Sequence, residues 1–151
     1  MTAKDYLLEY ARLQEDLIEL TEDIAALESL ATGTTASIDG MPGSGRTGDK
    51  VGTGASRIAD KKRDKERLIA DIIAQREEIR QLVRSLTDPR HRRLISLRYL
   101  EMEHGRLRTW ERVAESMHYD VDWVRGGLHS QALDAVQAIL DNNTQKHTQT
   151  L

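Results

Sequence analysis

Apolar residues recur at Tyr6, Tyr10, Leu13, Leu17, Leu20, Ile24, Leu27 and Ala31, in alternating steps of four and three. That spacing is a heptad seam, and it predicts one long amphipathic helix. A helix with a single apolar stripe cannot bury it alone, so a second helix is needed, from the same chain or from another copy. The first helix is expected to stop near Thr32 and Gly33, where glycine favours a left-handed C-terminal cap. Helical spacing resumes at Ile58 and continues through Leu68, Ile69, Ile72, Ile73, Ile79, Leu82, Val83 and Leu86, interrupted by Gln75 and Arg76.

Charge favours pairing of these two segments. Residues 1–31 carry two basic and eight acidic side chains, whereas residues 57–93 carry twelve basic and seven acidic ones. Opposite potentials attract and penalise like-with-like association, although each charge taken singly is also what a solvated helix face carries. A hydrophobic share of 38 %, a charged share of 31 %, two prolines and no phenylalanine point to exposed helices over a sheet. The expected fold class is all-α, opening with an antiparallel, coiled-coil-like helical hairpin over 1–87.

Between the two helices, residues 32–56 hold seven of the ten glycines. Within them Gly43 and Gly48 have the separation of a nucleotide-binding P-loop, G-x-x-x-x-G-K-[ST]. Asp49 intrudes before Lys50, and Val51 stands where a magnesium-binding hydroxyl belongs. The preceding element is a charged helix and not a buried strand, so the context fails as well. The segment is expected to be a connection between helices.

Thr87, Asp88 and Pro89 end the second helix and start a third, since aspartate caps free amides and proline fits the first helical turn. That helix is expected from Pro89 to about Met102. Thr109 is an N-cap for Trp110 to Met117, and after His118 and Tyr119 the side chain of Asp120 can cap a last helix. The apolar positions Val124, Leu128, Ala132, Ala135 and Ile139 carry that helix onward, and the polar tail at 142–151 is expected to fray. Residues 88–141 then form a three-helix unit in helix-turn-helix order. Trp110, Val113, Ala114 and Met117 would pack against Trp123, Val124 and Leu128. On periodicity alone, a bundle with no role at DNA fits equally well.

The chain has no cysteine, which excludes disulfides and thiol chemistry. No stretch approaches the ~18 apolar residues of a spanning helix, and the first residues do not form a secretion signal. No HExxH motif, paired acid–base spacing or nucleophile arrangement stands out, so no catalytic, cofactor-binding or metal-binding residues are nominated.

The stretch from Asp88 to Leu133 resembles the sigma-factor region-four helix-turn-helix, in the version carried by phage late-gene transcription regulators of the RinA and ArpU type. The residues that carry the resemblance are Leu97, Arg98, Tyr99, Leu100, Thr109, Trp110, Glu111, Val113, Ala114, Tyr119, Leu128, His129, Ala132 and Leu133. The glycine segment, with Gly40, Met41, Pro42 and Asp49 to Val51, is similar to a stretch between the N-terminal helices of those proteins. The resemblance implies a bacterial cytoplasmic location and a sequence-specific regulator that binds double-stranded promoter DNA, activates phage late or packaging genes and meets RNA polymerase. A homodimer through the N-terminal helices would supply a second half-site.

By the same resemblance, Asp122, Arg125, His129 and Ser130 would face bases or backbone. Arg125 suits guanine O6 and N7. His129 has a second reading as a packed polar residue. Arg106, Arg108 and Arg112 would bind phosphates, and Arg90, Arg92, Arg93 and Arg98 form a second basic group, with a solvated face as the alternative for most of them.

This sequence departs from the family pattern in two places. It has an extra residue between Val124 and Leu128, at Gly126 and Gly127, which a π-bulge or a helix break would absorb. It also has His118 in the turn where relatives carry glycine. Two other functions remain open: a small-terminase-like packaging component, and a helical interaction protein that never meets DNA.

Overall fold

The computed structural model describes residues 1–37 and 47–149. Helix α1 spans Ala3–Ser37 and α2 spans Thr47–Ser85. Helix α3 covers Pro89–Ile95 and runs on into a π turn, Ser96–Leu100. Helix α4 covers Trp110–Met117, and α5, Val121–Trp123, leads through a second π turn, Val124–Leu128, into α6, His129–Gln149. The described residues are thus all-α, and among them no helix is long and apolar enough to cross a membrane.

Three expected helix starts are built as the sequence implies. Asp88 accepts from the Arg90 amide at 2.8 Å with Pro89 in the first turn, and Thr109 accepts from the Arg112 amide at 3.3 Å. Asp120 accepts from the amides of Asp122 and Trp123 at 3.1 and 3.3 Å. Each side chain satisfies amides that the first helical turn leaves unpaired.

Helix limits elsewhere differ from expectation. Helix α1 passes Thr32 and Gly33 to reach Ser37, and α2 begins at Thr47, well before Ile58. A glycine costs a helix interior only about 1 kcal/mol relative to alanine, so it weakens a long helix without ending it. The core of the glycine segment, 38–46, including Met41, Pro42 and Gly43, lies outside the described residues. The tail also stays helical to Gln149, with the Thr144 and Thr148 hydroxyls bonded to the carbonyls four residues earlier.

The chain divides into two compact units, Met1–Glu15 with Ile72–Leu151, and Asp16–Asp71. The first part of α1 and the last part of α2 thus belong to the same unit as the C-terminal helices. In the first unit Ala3, Leu7, Tyr10 and Ala11 are buried from α1, and Ile72, Ile79, Leu82, Val83 and Leu86 from the α2 side. The amide of Ala3 donates to Gln137 Oε1 of α6 at 2.7 Å. Leu7 and Ala11 lie beside the heptad seam, so the buried stripe here is wider than two-helix packing requires.

In the second unit Ile24 is buried, whereas Leu17, Leu20 and Leu27 are half-buried and Leu30 is 67 % exposed. Lys61 meets Asp23 at 3.6 Å and Lys62 meets Glu28 at 2.9 Å, joining the basic helix to the acidic one.

Candidate nucleic-acid interface

Helix α4 ends at His118, whose backbone is left-handed at φ 60°, ψ 39°. The amide of Tyr119 bonds the Ala114 carbonyl at 3.1 Å and that of His118 bonds Glu115 at 3.2 Å, a Schellman cap. Asp120 then starts α5, so the two helices are joined by a turn fixed on both sides. Val113, Ala114, Val124 and Leu128 are buried at this junction, and α3 packs on both α4 and α6.

The extra residue of the last helix is absorbed as the π turn Val124–Leu128, and the helix does not break. Within that turn the indole of Trp123 lies over Gly127, where a Cβ would come within 2.2 Å of the ring. Only glycine leaves room for it. Trp123, expected in the core, is instead 40 % exposed, and Tyr119 nearby in the chain is 43 % exposed.

His129 does not face outward. It is buried, its Nε2 lies 2.7 Å from the Tyr99 hydroxyl, and its ring meets Trp110 edge-on at 4.5 Å between centroids. Burial, and then the charges of Lys4 and Arg98, push its pKa down to about 4. The expected DNA contact at His129 is corrected to a packed polar residue, and its neutral ring can accept the Tyr99 hydrogen bond. Burial likewise raises the Tyr99 phenol above its ordinary value. The guanidinium of Arg98 sits 4.3 Å from the Trp110 ring centroid and donates to the Arg108 carbonyl. Arg98 is thus a structural cation, part of a stack that runs Arg98, Trp110, His129, Tyr99. Nothing in the spacing announces the π turn that places Tyr99, so this partner of His129 could not be read from it.

The arginines expected at phosphates separate into two groups. Arg92 donates to the carbonyls of Leu86 and Thr87 at 2.7 and 3.2 Å, closing the end of α2, and Arg93 donates to the Ser116 carbonyl at 3.1 Å. Arg108, with its side chain only 21 % exposed, lies 3.5 Å from Glu103. Arg92 and Arg108 are half-buried, with guanidinium groups that meet partners within the fold, whereas Arg93 is exposed. Arg106, Arg112, Asp122, Arg125 and Ser130 remain exposed.

Arg106 belongs to a tight turn whose central residues, His104 and Gly105, both have positive φ. Backbone bonds of 3.0 Å run both ways between Glu103 and Arg106. Arg112 bonds the Glu103 carboxylate, and that bond, with the charges of Arg112 and Arg108, holds the Glu103 carboxyl below its ordinary range. Arg125 Nη2 is 2.8 Å from Asp122 Oδ1. Residues 88–141 carry eight arginines and nine carboxylates, so this surface is a mosaic of paired charges and not a uniform basic face.

No protein-family model matches the chain, and no curated protein or solved structure matches it either.

Proposed function

We propose that the chain is a sequence-specific, double-stranded-DNA-binding transcription regulator of the helix-turn-helix kind. Helix α4 braces, and α5 with its π turn enters the major groove, preceded by a helical hairpin formed by α1 and α2. The observation that carries this reading is the doubly capped turn from His118 to Asp120, which leaves Asp122 and Arg125 exposed at the start of the second helix, with Ser130 exposed further along. In such modules the first residues of the second helix reach base edges. The resemblance to phage late-gene regulators adds promoter DNA, activation of late or packaging genes and an encounter with RNA polymerase to the proposal.

Self-association through the Asp16–Asp71 unit belongs to it too, since Leu17, Leu20 and Leu27 stay half-open there. A second copy would cover that seam and double the DNA contacts. Mass measurement in solution tests this part: a dimer is expected, and a monomer at micromolar concentration overturns it. A ring of many copies would instead favour a packaging component.

Fluorescence anisotropy of a labelled random duplex, titrated with the full chain over a salt series, tests the DNA contact. Two to three phosphate contacts from exposed arginines give a log–log salt slope of about −2 to −3. Absence of binding at low salt overturns the proposal. The pairing of Arg108 and Arg112 with Glu103 favours a second reading, a helical protein that docks other proteins; that reading expects no salt-dependent binding at all.

A further inference from the structure

Asp120 and Asp122 stand two residues apart at the start of α5, and only Asp120 has a structural task. Its carboxylate accepts two backbone amides. The Asp122 side chain is 77 % exposed, and its hydrogen-bond partner is Arg125. An exposed ion pair three residues apart contributes little to stability in water. A carboxylate at this point also repels phosphates, so it weakens DNA contact unless it meets a donor there.

We propose that Asp122 and Arg125 act as one unit that reads a single G·C base pair in the major groove. This unit presupposes the DNA contact proposed above. Along its major-groove edge a G·C pair presents two acceptors, guanine N7 and O6, and then one donor, the cytosine N4 amino group. The ion pair offers the complementary order: guanidinium N–H donors, then a carboxylate acceptor. A guanidinium has five N–H donors, so Arg125 can span N7 and O6 and still hold Asp122. The 2.8 Å bond between Arg125 Nη2 and Asp122 Oδ1 keeps the two groups side by side, as the adjacent O6 and N4 positions require.

T·A keeps the two central matches and loses only the N7 acceptor, replaced by the thymine methyl, whereas the other two base pairs oppose the unit at both central positions. An A·T pair sets the adenine amino group against the guanidinium and thymine O4 against the carboxylate. A G·C pair read in the opposite direction sets the carboxylate against guanine O6. Asp122 therefore raises specificity twice, by accepting from cytosine and by repelling both wrong bases and random phosphates.

The test uses the full chain and its Asp122→Ala and Arg125→Ala variants, with far-UV circular dichroism confirming that both exposed changes leave the fold intact. A random duplex library is enriched on the wild-type protein. The winning duplex is then retitrated with each of the four base pairs at each position. Wild type is expected to prefer G·C at one position by on the order of tenfold. Asp122→Ala flattens the preference at that same position to about threefold or less and binds random duplex more tightly than wild type does, because a repulsive charge has gone. Arg125→Ala flattens the same position and weakens binding.

Enrichment by wild type with an unchanged preference in Asp122→Ala overturns the unit alone. Enrichment in which the two variants relax different positions does the same. No enrichment by wild type overturns the unit together with the DNA reading.

Discussion

His129 titrates inside the fold, and its titration can be read as stability. The unfolded value is near 6.5 and the folded value is pushed down to about 4, first by burial and then by Lys4 and Arg98. A depressed folded pKa means that the unfolded chain binds the proton first. Stability is therefore fully present above about pH 6.5 and is lost as pH falls toward 4, where the folded ring also charges. At about 1.4 kcal/mol per pH unit, the fall from 6.5 to about 4 sets a ceiling of about 3.5 kcal/mol. At pH 4.5, still above the folded value, that loss is incomplete, so about 2 kcal/mol is expected. Asp88 and Glu103 do not confuse the window. Their folded pKa values are lowered, Asp88 to about 2 through its bonds with Arg90, so their contributions fade only at lower pH.

The assay is urea unfolding at pH 7.5 and pH 4.5 for wild type and His129→Gln. Glutamine keeps a partner for the Tyr99 hydroxyl but does not titrate. The wild type should lose about 2 kcal/mol more than the variant across that interval. Equal losses in the two proteins, or an NMR titration midpoint for His129 near 6.5, would refute the reasoning.

Backbone geometry supplies the other expectations. His118→Gly should stabilise the chain by about 1 kcal/mol, since glycine enters the left-handed region without a Cβ penalty; thermal melts check it, and a lower melting temperature contradicts it. The two glycines of the last helix should respond in opposite senses. Nothing lies within 4 Å of a Cβ at Gly126, so Gly126→Ala should stabilise by about 0.5–1 kcal/mol through helix propensity. At Gly127 an added Cβ meets the Trp123 ring at 2.2 Å, so Gly127→Ala should cost about 1–2 kcal/mol and shift Trp123 fluorescence as the ring is displaced.

Caps were the most legible part of the fold in the sequence. Asp88 with Pro89, Thr109 and Asp120 each mark a helix start by local chemistry alone, and each accepts the expected amide. The ends of α1 and α2 were less legible, because glycine is a weak stop when good helix formers surround it. For the extra residue near Gly126, a bulge and a break were both open on the sequence, and the Trp123–Gly127 contact belongs with the bulge. The candidate surface was only partly legible. Arg92, Arg98 and Arg108 read as free cations in the sequence, yet their partners are carbonyls, a ring and carboxylates brought close by tertiary packing. His129 sits at a helical position that spacing assigns to either face, and the Tyr99 hydroxyl that holds it comes from thirty residues away.

Enrichment of a random duplex library on the folded chain decides whether it reads DNA sequence. One recurring site that outcompetes random duplex by about 10³-fold or more at physiological salt is expected. A library that emerges with its starting composition, from a protein shown to be folded, would contradict that expectation.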